Sequence, residues 1–267
     1  MSLRTVYWQK LRRPEITAAR DEGAVVLIPI GSTEQHGAHL AVDMDIATAS
    51  AVCARAAQQV TEFPVLVAPP IWSGYSPHHM DNLGTITLRF STFAAVVTDV
   101  VDSILQHGFR HIVLINGHGG NIGHLSALAT RLSTSGRPVA FTSWWNMVGA
   151  DFEQILEGEL KGVGHACEAE TSCYLALDPS GVDLTQAVRK YEDSHLVPID
   201  PQAFLASGVT FAPIFLAESP GVHGDPTLAT AEKGERILSI AASRLAAFVR
   251  SYRTVELAAP RLLFPDP

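Results

Sequence analysis

Two apolar runs constrain the fold more than anything else in the chain. Ala24-Val25-Val26-Leu27-Ile28-Pro29-Ile30 and His111-Ile112-Val113-Leu114-Ile115-Asn116 are each followed at once by a glycine. Apolar runs of this length fit strands buried on both faces, as in a parallel sheet whose crossover helices cover it. Helical spacing appears from Met44 to Val60, Thr92 to His107, Asn121 to Leu132, Glu168 to Leu177 and Thr227 to Tyr252, with a shorter helix from Pro14 to Glu22. Val65 to Ala68 and Val139 to Ser143 are further strands, and Thr85 to Leu88 alternates like an edge strand. Strands alternating with helices predict a three-layer α/β/α sandwich with a mostly parallel central sheet and right-handed crossovers. At 267 residues the chain fits a single domain over 1–267.

The chemistry sits just past the strands. The stretch from Glu34 to Asp45 holds Glu34, His36, His39, Asp43 and Asp45. Carboxylates mixed with imidazoles suit a divalent ion such as Zn, Mn or Fe. Glu34 and His36 are two apart, so in extended backbone they project to the same side. His118, in Gly117-His118-Gly119-Gly120-Asn121, stands at the carboxyl end of the second run, where open α/β sheets bind ligands. His165 and the acids Glu168 and Glu170 open a helix further on. Asp43 is an alternative to Asp45 as a ligand, and His39 fits a packed histidine. Trp72 to Asp81 is long, aromatic and His-bearing, with the character of a binding loop.

Composition narrows the class. Hydrophobic residues are 47% of the chain and charged ones 17%, enough apolar material for a sizeable core. A net charge of −8 argues against a nucleic-acid partner. Cys53, Cys167 and Cys173 have no paired spacing, which points to a reducing, cytoplasmic location. No signal-peptide core or membrane-length apolar stretch is present, so no membrane association is expected.

The pattern resembles the creatininase (creatinine amidohydrolase) family. The matching residues are Gly31-Ser32-Thr33-Glu34-Gln35-His36-Gly37 with His39-Leu40 and Asp45, Asn116 to Asn121, and His165 with Glu168 and Glu170-Thr171-Ser172; Ser76-Pro77-His78-His79 and Gly84-Thr85 are smaller matches. The resemblance implies two divalent ions per chain, Zn or Mn with Fe as an alternative. Glu34, His36, Asp45 and His118 would be ligands, with Asp45 bridging. It also implies hydrolysis of a C–N bond in a small amide, cyclic amide or formamide by an activated water. His165 would be the general acid, and the assembly a homo-oligomer with a hexamer as candidate size. Apolar Leu262-Leu263-Phe264-Pro265 is consistent with an intersubunit arm.

The chain also departs from the family. Creatininases carry a Glu where this chain has Gly120, and they lack an acid at the position of Glu168. Glu168 is therefore expected as the fifth ligand, and Glu170 as a catalytic proton-handling group. Ser76, His78, His79 and Trp145 are expected to bind substrate. Creatininases also carry a Trp and an acid just before the third-motif His. Here the stretch is Lys161-Gly162-Val163-Gly164, which disfavours creatinine itself. Formylaminopyrimidine deformylation and peptide cleavage in redox-cofactor maturation are alternatives within the family. A nucleotide-binding module using the 117–121 loop would leave Glu34 and His36 unexplained, and the loop lacks the Lys-Ser/Thr of a P-loop. A metal-binding protein without catalysis is the third alternative.

Overall fold

Six consecutive buried residues, Val25–Ile30, form β1, flanked by β2 (Val65–Val67) and β3 (His111–Asn116), with β4 (Ala140–Ser143) beyond β3. The structure, a computed structural model, describes residues 3–191 and 219–257. All strand pairs are parallel, in the order β2-β1-β3-β4. Pro29 lies in this central strand, where a missing N–H would normally break a ladder. Its carbonyl accepts from Ile71 N, so its N–H side also faces beyond the end of β2 and costs the ladder nothing.

The helices are α1 (Arg13–Asp21), α2 (Met44–Gln59), α3 (Phe90–Gln106), α4 (Ile122–Thr134), α5 (Phe152–Ile155), α6 (Glu168–Leu177) and α7 (Ala231–Tyr252). Alternate residues of β1 face opposite ways, and this divides the core in two. Val25 and Leu27 pack with α2, α5, α6 and α7. Val26, Ile28 and Ile30 pack with α1, α3 and α4. On α3 the stripe is Phe93, Val97, Val101 and Ile104, each worth about 1.5–3 kcal/mol when buried. The three expected layers are present.

One close crossing fixes the helix beneath the site. A Cβ on Gly234 would stand 1.8 Å from Ser172 O, so α7 lies directly against the backbone of α6. Thr230 caps α7 by accepting Lys233 N at 3.2 Å, and its own N–H donates to Ser172 Oγ at 3.2 Å.

Some elements differ from expectation. Thr85 to Leu88 forms no strand; a lone antiparallel bridge joins Ile86 to Thr33, and Thr87 Oγ1 instead accepts Ser76 N. The last helix begins at Ala231 rather than Thr227, because Asp225 holds Pro226–Leu228 in a 3-10 turn. The short α5 had no periodicity long enough to reveal it. The proposed arm at 262–265 and most of the irregular stretch 183–226 lie outside the described residues. No helix among the described residues is long and apolar enough to cross a membrane.

Candidate metal centre

The register of the sheet assembles the site. Ile30 pairs with Asn116, so the loops leaving β1 and β3 emerge side by side, and Gly117 N donates to Ile30 O at 2.7 Å. A Cβ on Gly117 would stand 2.2 Å from Asp45 O, and one on Gly31 would stand 2.6 Å from Ile46 N. Glycine at both points lets the loops press against the first turn of α2, which carries Asp45. Two asparagines stitch them together. Asn116 Oδ1 accepts His118 N, while Asn121 Nδ2 donates to Gly31 O and its Oδ1 accepts Tyr75 N.

The side chains converge under cover. Glu34, His36, Asp45, His118 and Glu170 are all buried. Glu34 Oε2 lies 3.0 Å from His118 Nδ1, which is 3.2 Å from Asp45 Oδ2; His36 Nε2 is 3.3 Å from Asp45 Oδ1. Potential ligand atoms fall into three overlapping groups: Glu34 with Asp45 and His118, His36 with Asp45 and Glu170, and Glu34 with His36 and His165. Asp45 is common to the first two.

Hydrogen bonds already select the imidazole tautomers. His36 Nδ1–H donates to Glu34 O at 3.2 Å, leaving Nε2 to face Asp45. His118 Nε2 reaches Tyr75 O at 3.2 Å, leaving Nδ1 to face both acids. A ring fixed by a hydrogen bond at one nitrogen, with the other left for an ion, is the usual arrangement of a metal-ligating histidine. Six buried side-chain atoms among the described residues have no hydrogen-bond partner, and three of them are His36 Nε2, Asp45 Oδ2 and Glu170 Oε2. These three belong to the residues of one group. Orphaned polar atoms deep in a protein are costly unless something else binds them, so the donor set fits a divalent cation.

The electrostatics show how crowded the cluster is. Burial acts to lower His36, but Asp45 and then Glu170 and Glu34 overcome it and raise its pKa to about 9. Burial also acts to raise Glu34, yet His118, His79 and His165 hold it well below the carboxylate range. Glu170 is pushed up to about 7, chiefly by burial and against the pull of His36. Burial, followed by His36 and His79, holds His165 well below its ordinary value and keeps it neutral.

Glu168 corrects the sequence-based expectation. It points away from the cluster: its carboxylate accepts Glu157 N at 3.0 Å and Gly158 N at 2.9 Å and pairs with Lys233 Nζ at 2.7 Å. Residues two apart on a helix point about 200° apart around its axis, so only one of Glu168 and Glu170 can face the β1 loop. It is Glu170. Asp43 is likewise engaged elsewhere, accepting Tyr174 OH at 2.5 Å.

The other candidates divide. Ser76 is fully buried, with Oγ 2.7 Å from Glu34 Oε2 and 3.0 Å from His118 Nε2. His79 is buried with Nε2 3.3 Å from Glu34 Oε1. His78 stacks on His118 with ring centroids 5.6 Å apart, and burial followed by His118 lowers its pKa to about 4. Trp145 is partly buried against the core cluster that includes α7 and stands edge-on to Trp144, outside the ligand groups; Trp72 is largely exposed. His39 is buried, with Nε2 3.0 Å from Thr171 Oγ1, tying the loop to α6. Cys167 accepts Gly164 N–H and lies outside the ligand groups, as a small buried residue would. Gln35, Ser32, Asn116 and Asn121 carry more of the geometry than their sequence suggested; each stood inside a motif, but as a spacer between stronger ligand types.

His165 enters from the far side. Its backbone pairs with His223 in an antiparallel bridge, and Ala166 next to it adopts a left-handed φ of 51°. Nε2 lies 2.8 Å from Gln35 O, a pure acceptor, so Nε2 carries the proton. Nδ1 then presents a lone pair, 3.7 Å from Glu34 Oε1.

A family model described as Creatininase, creatinine amidohydrolase, matches residues 9–249. The chain belongs to the creatininase family. The mycofactocin precursor peptide peptidase of Mycolicibacterium smegmatis is 33% identical over 218 residues, 80% of each chain. The creatinine amidohydrolase of Pseudomonas putida is 28% identical over 246 residues, 85% of this chain and 88% of that one. The solved structure described as "Creatininase Mn" superposes with a TM-score of 0.78 at 27% identity, covering 94% of this chain and 100% of that one. Membership makes this creatininase-family chain a hydrolase of C–N bonds. Gly120 is tightly enclosed. A Cβ there would lie 2.3 Å from His118 Nε2 and 2.7 Å from His78 Cε1, so the His78 ring closes the space a side chain at 120 would need.

Proposed function

We propose that this protein is a dinuclear metal-dependent amidohydrolase acting on a small amide, cyclic amide, formamide or short peptide. The observation that carries the reading is the convergence of the three orphaned buried atoms of His36, Asp45 and Glu170 beside the Glu34–Asp45–His118 group. Glu34, Asp45 and His118 would hold one ion, and His36, Asp45 and Glu170 the other, with Zn or Mn preferred by a mixed carboxylate–imidazole set and Fe acceptable. When bound, two such ions supply an activated water and a Lewis acid for the scissile carbonyl.

The chain's own residues supply the proton traffic. His165 is neutral, and its Nδ1 lone pair faces the centre, so it accepts a proton first and then donates it to the leaving nitrogen. Gln35 O holds the ring in that tautomer. Glu170 binds an ion rather than handling protons. His78, more exposed than its neighbour, is the substrate-facing imidazole of the pair. Creatinine is disfavoured as substrate. A Cβ on Gly164 would meet His223 O at 2.2 Å, leaving no room there for a side chain before His165.

Assembly as a homo-oligomer of the order of a hexamer and a cytoplasmic location complete the proposal. Three free, buried cysteines fit a reducing compartment. The test is turnover of cyclic amides, formamides, creatinine and short peptides by Zn- or Mn-loaded protein. Glu34→Gln should abolish activity together with metal, and His165→Ala should cut kcat at least about 100-fold, the usual scale of general acid–base catalysis. Full turnover by metal-free Glu34→Gln would place the activity elsewhere.

A further inference from the structure

We propose that Gln35 and His79 form a positioning relay that fixes Glu34 for metal binding, so that His79 is a positioning residue and not a substrate-binding one. The inference rests on the metal centre proposed above. The orientation of the Gln35 amide is set by its partners, which alone distinguish its oxygen from its nitrogen. Gly37 N–H lies 2.8 Å from Oε1 and can only donate, so that atom is the carbonyl oxygen. The amide nitrogen therefore lies 3.0 Å from both His79 Nδ1 and His165 Nε2; the His165 Nε2 proton goes to Gln35 O, which leaves His79 Nδ1 as the acceptor. An NH2 group offers protons, which puts the ring proton of His79 on Nε2. Nε2 stands 3.3 Å from Glu34 Oε1, so its proton faces that oxygen. The other oxygen, Oε2, accepts from Ser76 Oγ at 2.7 Å. Apart from the proposed ligand His118, whose Nδ1 is 3.0 Å from Oε2, each carboxylate oxygen of Glu34 thus faces one donor outside the ligand set, His79 or Ser76.

The relay is closed off from substrate. His79 is 1% exposed and Gln35 6%. Gly221 covers the amide: a Cβ there would stand 2.0 Å from Gln35 Oε1, and its φ of 66° admits glycine with least strain. Polar groups that orient a ligand typically change metal affinity when removed.

The test uses Zn-loaded protein and a chromophoric chelator as competitor. Gln35→Glu keeps size and the acceptor for Gly37 but removes the donor to His79. His79→Phe keeps a ring but no hydrogen bond. Both should weaken zinc binding about 10–100-fold, with KM for any turnover substrate unchanged at saturating zinc. His79→Gln, whose amide can still donate to Glu34, should recover part of the loss. In 15N-histidine NMR of the Zn protein, His79 should be protonated at Nε2, and Gln35→Glu should shift the proton to Nδ1. Zinc affinity unchanged in both variants of a normally melting protein, or a wild-type His79 protonated at Nδ1, would overturn the relay. Failure of the wild-type protein to bind zinc at all would instead overturn the metal centre.

Discussion

Glu168 and Glu170 show how much a single residue's direction decides. Both are buried acids in the first turn of α6, yet one serves the fold and the other the site. Glu168 is a buried partner of Lys233 that also accepts two backbone N–H groups. Removing one member of such a pair costs about 3–5 kcal/mol. Glu168→Ala should therefore lower the thermal midpoint clearly while leaving metal stoichiometry intact. Retention of full stability would mean that the pair contributes nothing net.

The same cluster predicts two opposite pH slopes. In metal-free protein His36 is raised from 6.5 to about 9, and Glu170 from 4.5 to about 7. Groups raised on folding stabilise at low pH and lose that contribution as pH rises through the folded value. His79 and His165 are lowered, so their effect is confined to pH below about 6.5, the unperturbed histidine value. Between pH 6.5 and 9 the metal-free midpoint should fall, while zinc affinity rises because binding must displace those protons. Calorimetry with and without zinc across this window checks it; parallel slopes would contradict the protonation scheme.

At the scale of elements, β1 and β3 were legible because unbroken apolar runs ending in glycine leave few other interpretations, whereas the alternation at Thr85 to Leu88 suggested a strand that does not form. The helices were legible from their periodicity, with ends off by a few residues where caps and 3-10 turns intervene. Glu34, His36, Asp45 and His118 could be singled out because they are strong ligand types just past two strands, and the structure brings them together. The choice between Glu168 and Glu170 was not legible, because helix phase depends on how α6 packs against α7. That packing rests on Gly234. Gly234→Ala should force the helices apart and destabilise by about 1–3 kcal/mol, the usual cost of overpacking, and should weaken the ion held by Glu170 before the one held by His118. Denaturant unfolding with metal titration would reveal this; an unperturbed variant would mean that α6 can shift freely. The contact between His79 and Gln35 was not legible for a related reason: it joins loops 44 residues apart, which spacing cannot show.

For the whole molecule, one strand register brings the β1 and β3 loops together, and α6, in the same core layer as α2, brings Glu170 beside them. The fold and the site are therefore coupled: metal should stabilise the chain by mass action, and the assembled protein should sediment at a multiple of the 28.7 kDa chain. A monomer at micromolar concentration would contradict the oligomer. The most direct measurement of the central claim is metal stoichiometry by elemental analysis, on wild-type protein, Glu170→Gln and Glu168→Gln prepared without chelators. The dinuclear centre predicts close to two ions per chain in the wild type and in Glu168→Gln, and close to one in Glu170→Gln. A wild type with no ion after Zn or Mn loading, or a Glu170→Gln protein that keeps both, would contradict it.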